Sequence, residues 1–304
     1  ANTKDASASS ASSSSSYSRS RRAGAGIHQA SAAEQEVAAA KALLDASPLE
    51  QELSSQNDFV AMRTKTFVGR TEQLRAIDRL VHESFASGGA PITICGSAGS
   101  GKSALVAQYV SRCQSGSHDS DGSEAATAST SQSAVVCIAH FVGASPSSTD
   151  VRMCLWRLCC EIQSAYELDS VPEIATDMQQ LVTQFTQLLE LASEQALQRP
   201  LLIVIDAVNQ FSSSAAHRAA AAALEWLPAR VPPNVALVLS TLPGSELDVL
   251  QARGGPLHHV PPLSGAERRE LVSVTLARHH KRLDEAQMQQ LLSKPDADNA
   301  LYLV

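Results

Sequence analysis

Short apolar runs alternate with amphipathic stretches over most of the chain. The runs at 91–95, 134–141, 201–205, 235–240 and about 258–260 are apolar almost throughout rather than at every second position. Continuous apolar runs of that length predict strands covered on both faces. Between them apolar residues recur every three or four positions, as in Leu74, Ile77, Leu80 and Val81, in Val151, Leu155, Leu158 and Ile162, and in Leu181, Phe185, Leu188 and Leu189. That period predicts a helix after Arg70 and further helices at 102–113, 150–166, 173–197, 215–226 and 265–279. Strands alternating with helices predict an α/β fold, a mainly parallel five-stranded sheet between two helical layers.

The ends of the chain read differently. Residues 1–33 are mostly Ser and Ala, with a serine run at 12–16 and the basic residues Arg19, Arg21 and Arg22. Such a segment has too little apolar surface to offset the entropy of ordering it, so 1–35 is expected as a disordered tail. Its Ser- and Arg-rich, acid-poor character also suits an organelle transit peptide or a site for a basic-directed kinase. Residues 36–62, with Val37, Leu43, Leu44 and Leu49 and a break at Ser47-Pro48, read as a helical linker. A nucleotide-binding core is expected over 63–262, with a disordered Ser/Gly/Asp-rich insertion at 114–133. Residues 263–304 read as the start of a further helical domain, cut short. The absence of a starting Met points to a piece of a longer chain.

Composition narrows the class. Lys plus Arg total 24 against 31 Asp plus Glu, a net charge of −7, which argues against a basic nucleic-acid binder. Aromatics are only 4% of residues, so the core must rest on Leu, Val, Ile and Ala. No apolar run approaches the ~18–20 residues of a membrane span. The six cysteines form no CxxC pair and no zinc spacing, which suits a reduced intracellular protein. His258-His259 lacks a third ligand by spacing.

One motif carries chemistry strongly. Gly96-Ser97-Ala98-Gly99-Ser100-Gly101-Lys102-Ser103 matches GxxxxGK[ST] between a strand and a helix. Its glycines let successive N–H groups face phosphate oxygens, and the helix start adds its positive dipole end. Lys102 is expected at the β- and γ-phosphates, and the Ser103 hydroxyl on Mg²⁺. With Ala104 these residues form the expected nucleotide-contacting set. Leu201 to Ile205 followed by Asp206 has the form of a buried strand ending in a metal-holding carboxylate, so Lys102 and Asp206 are the expected catalytic pair. Asn209 and Gln210 stand where an ATPase usually carries a carboxylate to activate water, and an amide cannot accept that proton. Ser240-Thr241 reads either as a hydroxyl near the γ-phosphate or as a plain polar strand end. The basic run from Arg268 to Arg282 reads as a solvated face, or as the source of one nucleotide-contacting arginine.

The order Phe67-Val68-Gly69-Arg70, the phosphate loop, Ile205-Asp206 and Leu239-Ser240-Thr241-Leu242-Pro243 resembles the NACHT branch of the STAND class of P-loop NTPases. Within it, the run from His140 to Asp150, then Arg157-Leu158-Cys159 and Asn299-Ala300-Leu301-Tyr302-Leu303, is similar to nephrocystin-3-like NACHT–TPR proteins. The resemblance implies an ATP/ADP-binding, Mg²⁺-dependent switch that is closed with ADP and assembles with ATP. It also implies a helical lid and winged helix after the core, protein partners held by later repeats, and a cytoplasmic, cilium-associated setting. Val68 and Gly69 would lie by the adenine, and the Asn299-Ala300 pair would belong to the lid. Three departures from the family stand out: amides at Asn209 and Gln210, Leu242 for an arginine, and Ala300 for the lid proline. The first two imply slow hydrolysis and altered γ-phosphate sensing, and the third bears on the adenine pocket. Open alternatives are an active AAA-like ATPase and a scaffold with a vestigial site; a small-molecule kinase ranks last.

Overall fold

The computed structural model describes residues 46–116, 135–168, 171–195, 199–211 and 224–304. Strands β1 (Ile92–Cys95), β2 (Val136–Phe141), β3 (Leu201–Asp206), β4 (Val235–Thr241) and β5 (Leu257–His259) form one sheet in the order β2-β3-β4-β1-β5. Every pairing is parallel. All residues of β1, β3 and β4 are buried, which is why these strands read as unbroken apolar runs.

Helices α1 (Pro48–Thr64), α2 (Thr71–Ser87) and α3 (Lys102–Ser115) cover one face. There Leu74, Ile77, Val81, Leu105 and Val110 pack on Ile92, Leu202, Val204 and Val238. Helices α4 (Val151–Ala165) and α5 (Met178–Gln195) cover the other, where Leu155, Leu158, Phe185 and Leu188 meet Leu201, Ile203 and Leu237. Residues of β3 alternate between the two clusters, so the chain forms the expected three-layer α/β/α sandwich.

A short α6 (Ser245–Ala252) precedes β5, and α7 (Gly265–Ala277) and α8 (Glu285–Leu292) follow it. The last two helices and two 3₁₀ turns enclose a small separate cluster of Leu263, Leu271, Val272, Met288, Ala297 and Leu303. Both helices open on a capping box, Ser264 with Glu267 and Asp284 with Gln287.

The first helix departs from the sequence reading. Ser47-Pro48 begins a helix, and the residues expected to be helical before it lie outside the described residues. Ser47 caps α1, Pro48 occupies its first turn, and Glu50 completes a capping box. Nor is α1 a tether. Phe59 stacks on Phe141 at 5.0 Å, and Val60 is buried. The Gln56 side chain accepts the Phe141 N–H at 2.7 Å and donates to the Phe141 carbonyl at 3.4 Å.

Other boundaries shift by a few residues. The helix expected from 173 begins at Met178, because Asp177 accepts the N–H groups of Gln179 and Gln180 and caps it there. Helix α3 runs through 114–115 before Gly116; the rest of the expected insertion lies outside the described residues. So do the expected tail at 1–35 and most of the helix expected at 215–226, of which Leu224 and Trp226 are buried.

Candidate functional site

The phosphate loop leaves β1 at Gly96 and enters α3 at Lys102. Gly99 (φ +74°) and Gly101 (φ +88°) adopt left-handed backbone that glycine alone takes without strain. They curl the loop around the first turn of α3, with the Ser100 N–H donating to the Ser97 carbonyl at 3.2 Å. A side chain at Gly96 would press on the Ser100 hydroxyl and on the Val260 carbonyl. The loop thus owes its shape to three glycines, and Ala104 follows on the first helical turn.

Lys102 is buried. Its Nζ donates to the carbonyls of Gly96 at 2.7 Å and Ser97 at 2.9 Å, so the ammonium folds back across its own loop. Burial lowers its pKa, and the Asp206 charge opposes that shift. Asp206 ends β3 at 1% exposure. Burial pushes its pKa up, against hydrogen bonds from Ser103 and Ser240 and the charge of Lys102. The loop's lysine and hydroxyl and the strand-end carboxylate are therefore one electrostatic unit.

Strand order places a fourth member. Because β4 lies between β1 and β3, Ser240 sits beside Ile94 on one side and one residue past the Ile205–Leu239 pair on the other. Its hydroxyl donates to Asp206 Oδ1 and accepts the Ala207 N–H. Ser240 is thus a ligand of the carboxylate, not a free strand end, whereas Thr241 donates to the Leu242 carbonyl. Ala207, next to Asp206, holds a left-handed φ of +59°, an uncommon backbone for a residue with a Cβ.

Beyond Asp206 the chain makes a 3₁₀ turn, Val208–Gln210. Asn209 Oδ1 accepts the Leu242 N–H at 3.3 Å, while Gln210 is exposed. The amide side chain at 209 therefore holds the turn against the exit of β4.

Val68 and Gly69 meet the C-terminal helical segment. Val68 packs on the C-terminal cluster around Leu271 and Met288, and a Cβ at Gly69 would lie 2.7 Å from Glu267 Cγ. The neighbouring Arg70, which the sequence reading left without a role, reaches the loop itself. The C-terminal segment also touches the loop directly. Asn299 Nδ2 donates to the Ala98 carbonyl at 3.3 Å, and the Leu301 N–H donates to the Gly99 carbonyl at 3.4 Å. Of the basic run, Arg268 pairs with Asp298 and Arg269 with Glu285.

A second polar cluster lies at the end of β2. Buried Arg157 donates through Nη2 to the Ala139 carbonyl at 2.7 Å and to His140 Nδ1 at 3.1 Å. A guanidinium only donates, so Nδ1 accepts and the proton sits on Nε2, which donates to the Ser148 carbonyl at 2.8 Å. Burial and the Arg157 charge push the His140 pKa down to about 4.

Residues 66–239 match the AAA ATPase domain. The human NACHT and WD repeat domain-containing protein 2 is 31% identical over 176 residues, covering 57% of this chain and 9% of that protein. A TPR repeat-containing protein of Dictyostelium discoideum is 24% identical over 244 residues, 69% of this chain and 14% of its own length. The chain thus spans only about a tenth of the curated relatives it matches. The Walker-type ATPase of Pyrococcus abyssi superposes with a TM-score of 0.46 at 13% identity, covering 78% of this chain and 66% of the other. These relatives agree with the NACHT class without singling out the nephrocystin-3-like branch. No helix among the described residues is long and apolar enough to cross a membrane. With its complete phosphate loop and parallel sheet, the chain belongs to the AAA ATPase domain family of P-loop NTPases, and its relatives include NACHT proteins.

Proposed function

We propose that this domain is a nucleotide-dependent regulatory switch that binds ATP and ADP with Mg²⁺ and hydrolyses ATP slowly. The observation that carries the reading is the turn after Asp206. Its amide side chain, Asn209, accepts the Leu242 N–H where a general base would otherwise stand. The loop, by contrast, keeps every residue that phosphate binding asks for.

The donor set suits the metal. A serine hydroxyl and a carboxylate are hard oxygen ligands, and Ser103 and Asp206 supply them at the loop and at the end of β3. Mg²⁺ held there would neutralise phosphate charge. The chain's own residues do the rest. Loop N–H groups and the start of α3 bind the phosphates, and Lys102 exchanges the Gly96 and Ser97 carbonyls for phosphate oxygens. Ser240 keeps Asp206 oriented. Asn209 and Gln210 can orient a water but take no proton from it, so turnover is slow.

In this reading residues 263–304 are the beginning of a lid, resting on the loop through Asn299 and Leu301. Nucleotide state would set the lid, and the lid would govern assembly with partners. The names of the relatives mention WD and TPR repeats, which supports interaction regions elsewhere in the full-length protein.

The test is nucleotide content and turnover on one sample. Bound nucleotide is released by denaturation and identified, and phosphate release is followed for wild type and Lys102→Ala. Tightly held ADP with slow turnover that Lys102→Ala abolishes is the expected result. Many turnovers per second would instead favour an active ATPase, and failure to bind ATP or ADP a scaffold.

A further inference from the structure

Arg70 is 5% exposed and caps α2 with a left-handed φ of +58°. Its Nη2 donates to the Ser100 carbonyl at 3.2 Å, and its Nη1 donates to the Pro261 carbonyl at 2.8 Å. Its backbone N–H donates to Glu267 Oε1 at 3.0 Å, and Nε lies 4.0 Å from the same oxygen. Glu267 Oε2 in turn accepts the Ser264 N–H at 2.8 Å, the contact that starts α7. One buried cation therefore touches the phosphate loop, the segment leaving β5 and the first turn of the lid helix.

A trans peptide is planar, so the Ser100 carbonyl and the Gly101 N–H point in opposite directions from one rigid plate. Holding the carbonyl aims the N–H. We propose that Arg70 is a positioning residue for the nucleotide's phosphates: it fixes the Ser100–Gly101 peptide so that the Gly101 N–H faces them, and through Glu267 it ties that orientation to the seating of α7. The proposal rests on the nucleotide-switch reading above.

The chemistry asks for arginine. Two carbonyls and one carboxylate are reached by one planar fork, which the single ammonium of lysine does not reproduce. The left-handed backbone at Arg70 is uncommon for a residue with a side chain, and it turns the Arg70 N–H toward Glu267. When α7 shifts, Glu267 leaves, and the guanidinium loses the partner that fixes its direction.

The experiment measures ADP affinity on the full chain by calorimetry for wild type, Arg70→Ala, Arg70→Lys, Glu267→Gln and Lys102→Ala. Arg70→Ala is expected to weaken ADP roughly ten- to a hundredfold, the span for losing a hydrogen bond to a charged group. Millimolar guanidinium is expected to restore part of it. Hydrogen exchange supplies a readout that a merely structural role would not move. ADP protects amides 265–277 in wild type, and that protection is lost in Arg70→Ala at saturating ADP. Wild-type-like ADP affinity in Arg70→Ala, or retained ADP-dependent protection, overturns the proposal. If Arg70→Ala does not fold, Arg70→Lys and Glu267→Gln decide, and unchanged affinity in both overturns it. A wild type that binds no ADP, indistinguishable from Lys102→Ala, fails the switch reading itself; binding by wild type with Arg70→Ala unchanged fails only this inference.

Discussion

The Ser240 hydroxyl donates to the Asp206 carboxylate while accepting the Ala207 N–H at 2.9 Å. One side chain from β4 thus fixes both the acid that ends β3 and the peptide that follows it. Removing the hydroxyl strands a buried carboxylate oxygen and a buried N–H together. Ser240→Ala is expected to cost about 1–3 kcal/mol of stability, the penalty for unsatisfied buried groups. Urea unfolding measures that loss, and an equal midpoint for variant and wild type refutes the role.

His140 supplies a pH dependence. Its folded pKa of about 4 lies below the ordinary 6.5, so between those values the unfolded chain binds the extra proton. Stability therefore falls as pH drops from 6.5 towards 4, by about 3 kcal/mol at most. Asp206, raised by burial, acts in the opposite direction over its own window, where the folded state takes the proton. Unfolding at pH 7 and pH 5 should show a smaller loss in His140→Gln than in wild type. Equal losses would remove His140 as the source.

Asn209→Asp keeps an oxygen for the Leu242 N–H and adds a proton acceptor beside Asp206. A positioned general base contributes about 10²–10⁴-fold. Steady-state phosphate release should rise by at least ~10-fold in the variant, provided Lys102 is intact. No rise would mean that the turn does not face the attacking water.

Gly99 leaves no room for a side chain beside the Asn299 segment. A Cβ there would lie 2.1 Å from Asn299 Oδ1, on backbone with φ +74°. Gly99→Ala should therefore dislodge the Asn299 segment and speed chymotryptic cleavage after Tyr302. Asn299→Ala in the same chain should remove the clash and slow cleavage again. Identical digestion of Gly99→Ala and wild type would show that the segment is not held by the loop.

The sequence made visible what rests on local pattern. Apolar runs located all five strands within two residues, and the glycine spacing located the loop between β1 and α3. Asp206 was legible because an apolar strand ending in a carboxylate follows a complete phosphate loop in the same chain. What stayed hidden depends on strand order. Nothing local to Ser240 says that β4 lies between β1 and β3, so its two readings could not be separated. Arg70 was missed for a similar reason, since its partners at Ser100 and Glu267 lie 30 and 197 residues away. The start of α1 carried a readable signal, Ser47-Pro48-Leu49-Glu50, which is a cap followed by an N-terminal proline and not a break.

The outer side of β2 has one further consequence. An unpaired strand border is a template on which another chain can extend a sheet. At Phe141 both the N–H and the carbonyl are taken by the Gln56 amide, and at Ala139 the carbonyl is taken by Arg157. A primary amide carries the same donor and acceptor as a peptide group, so Gln56 pairs as a single residue of an added strand would. Two helices have thus supplied, from side chains alone, hydrogen bonds that a sixth strand would need. At this end of β2 the border is already occupied, which hinders another strand from adding there.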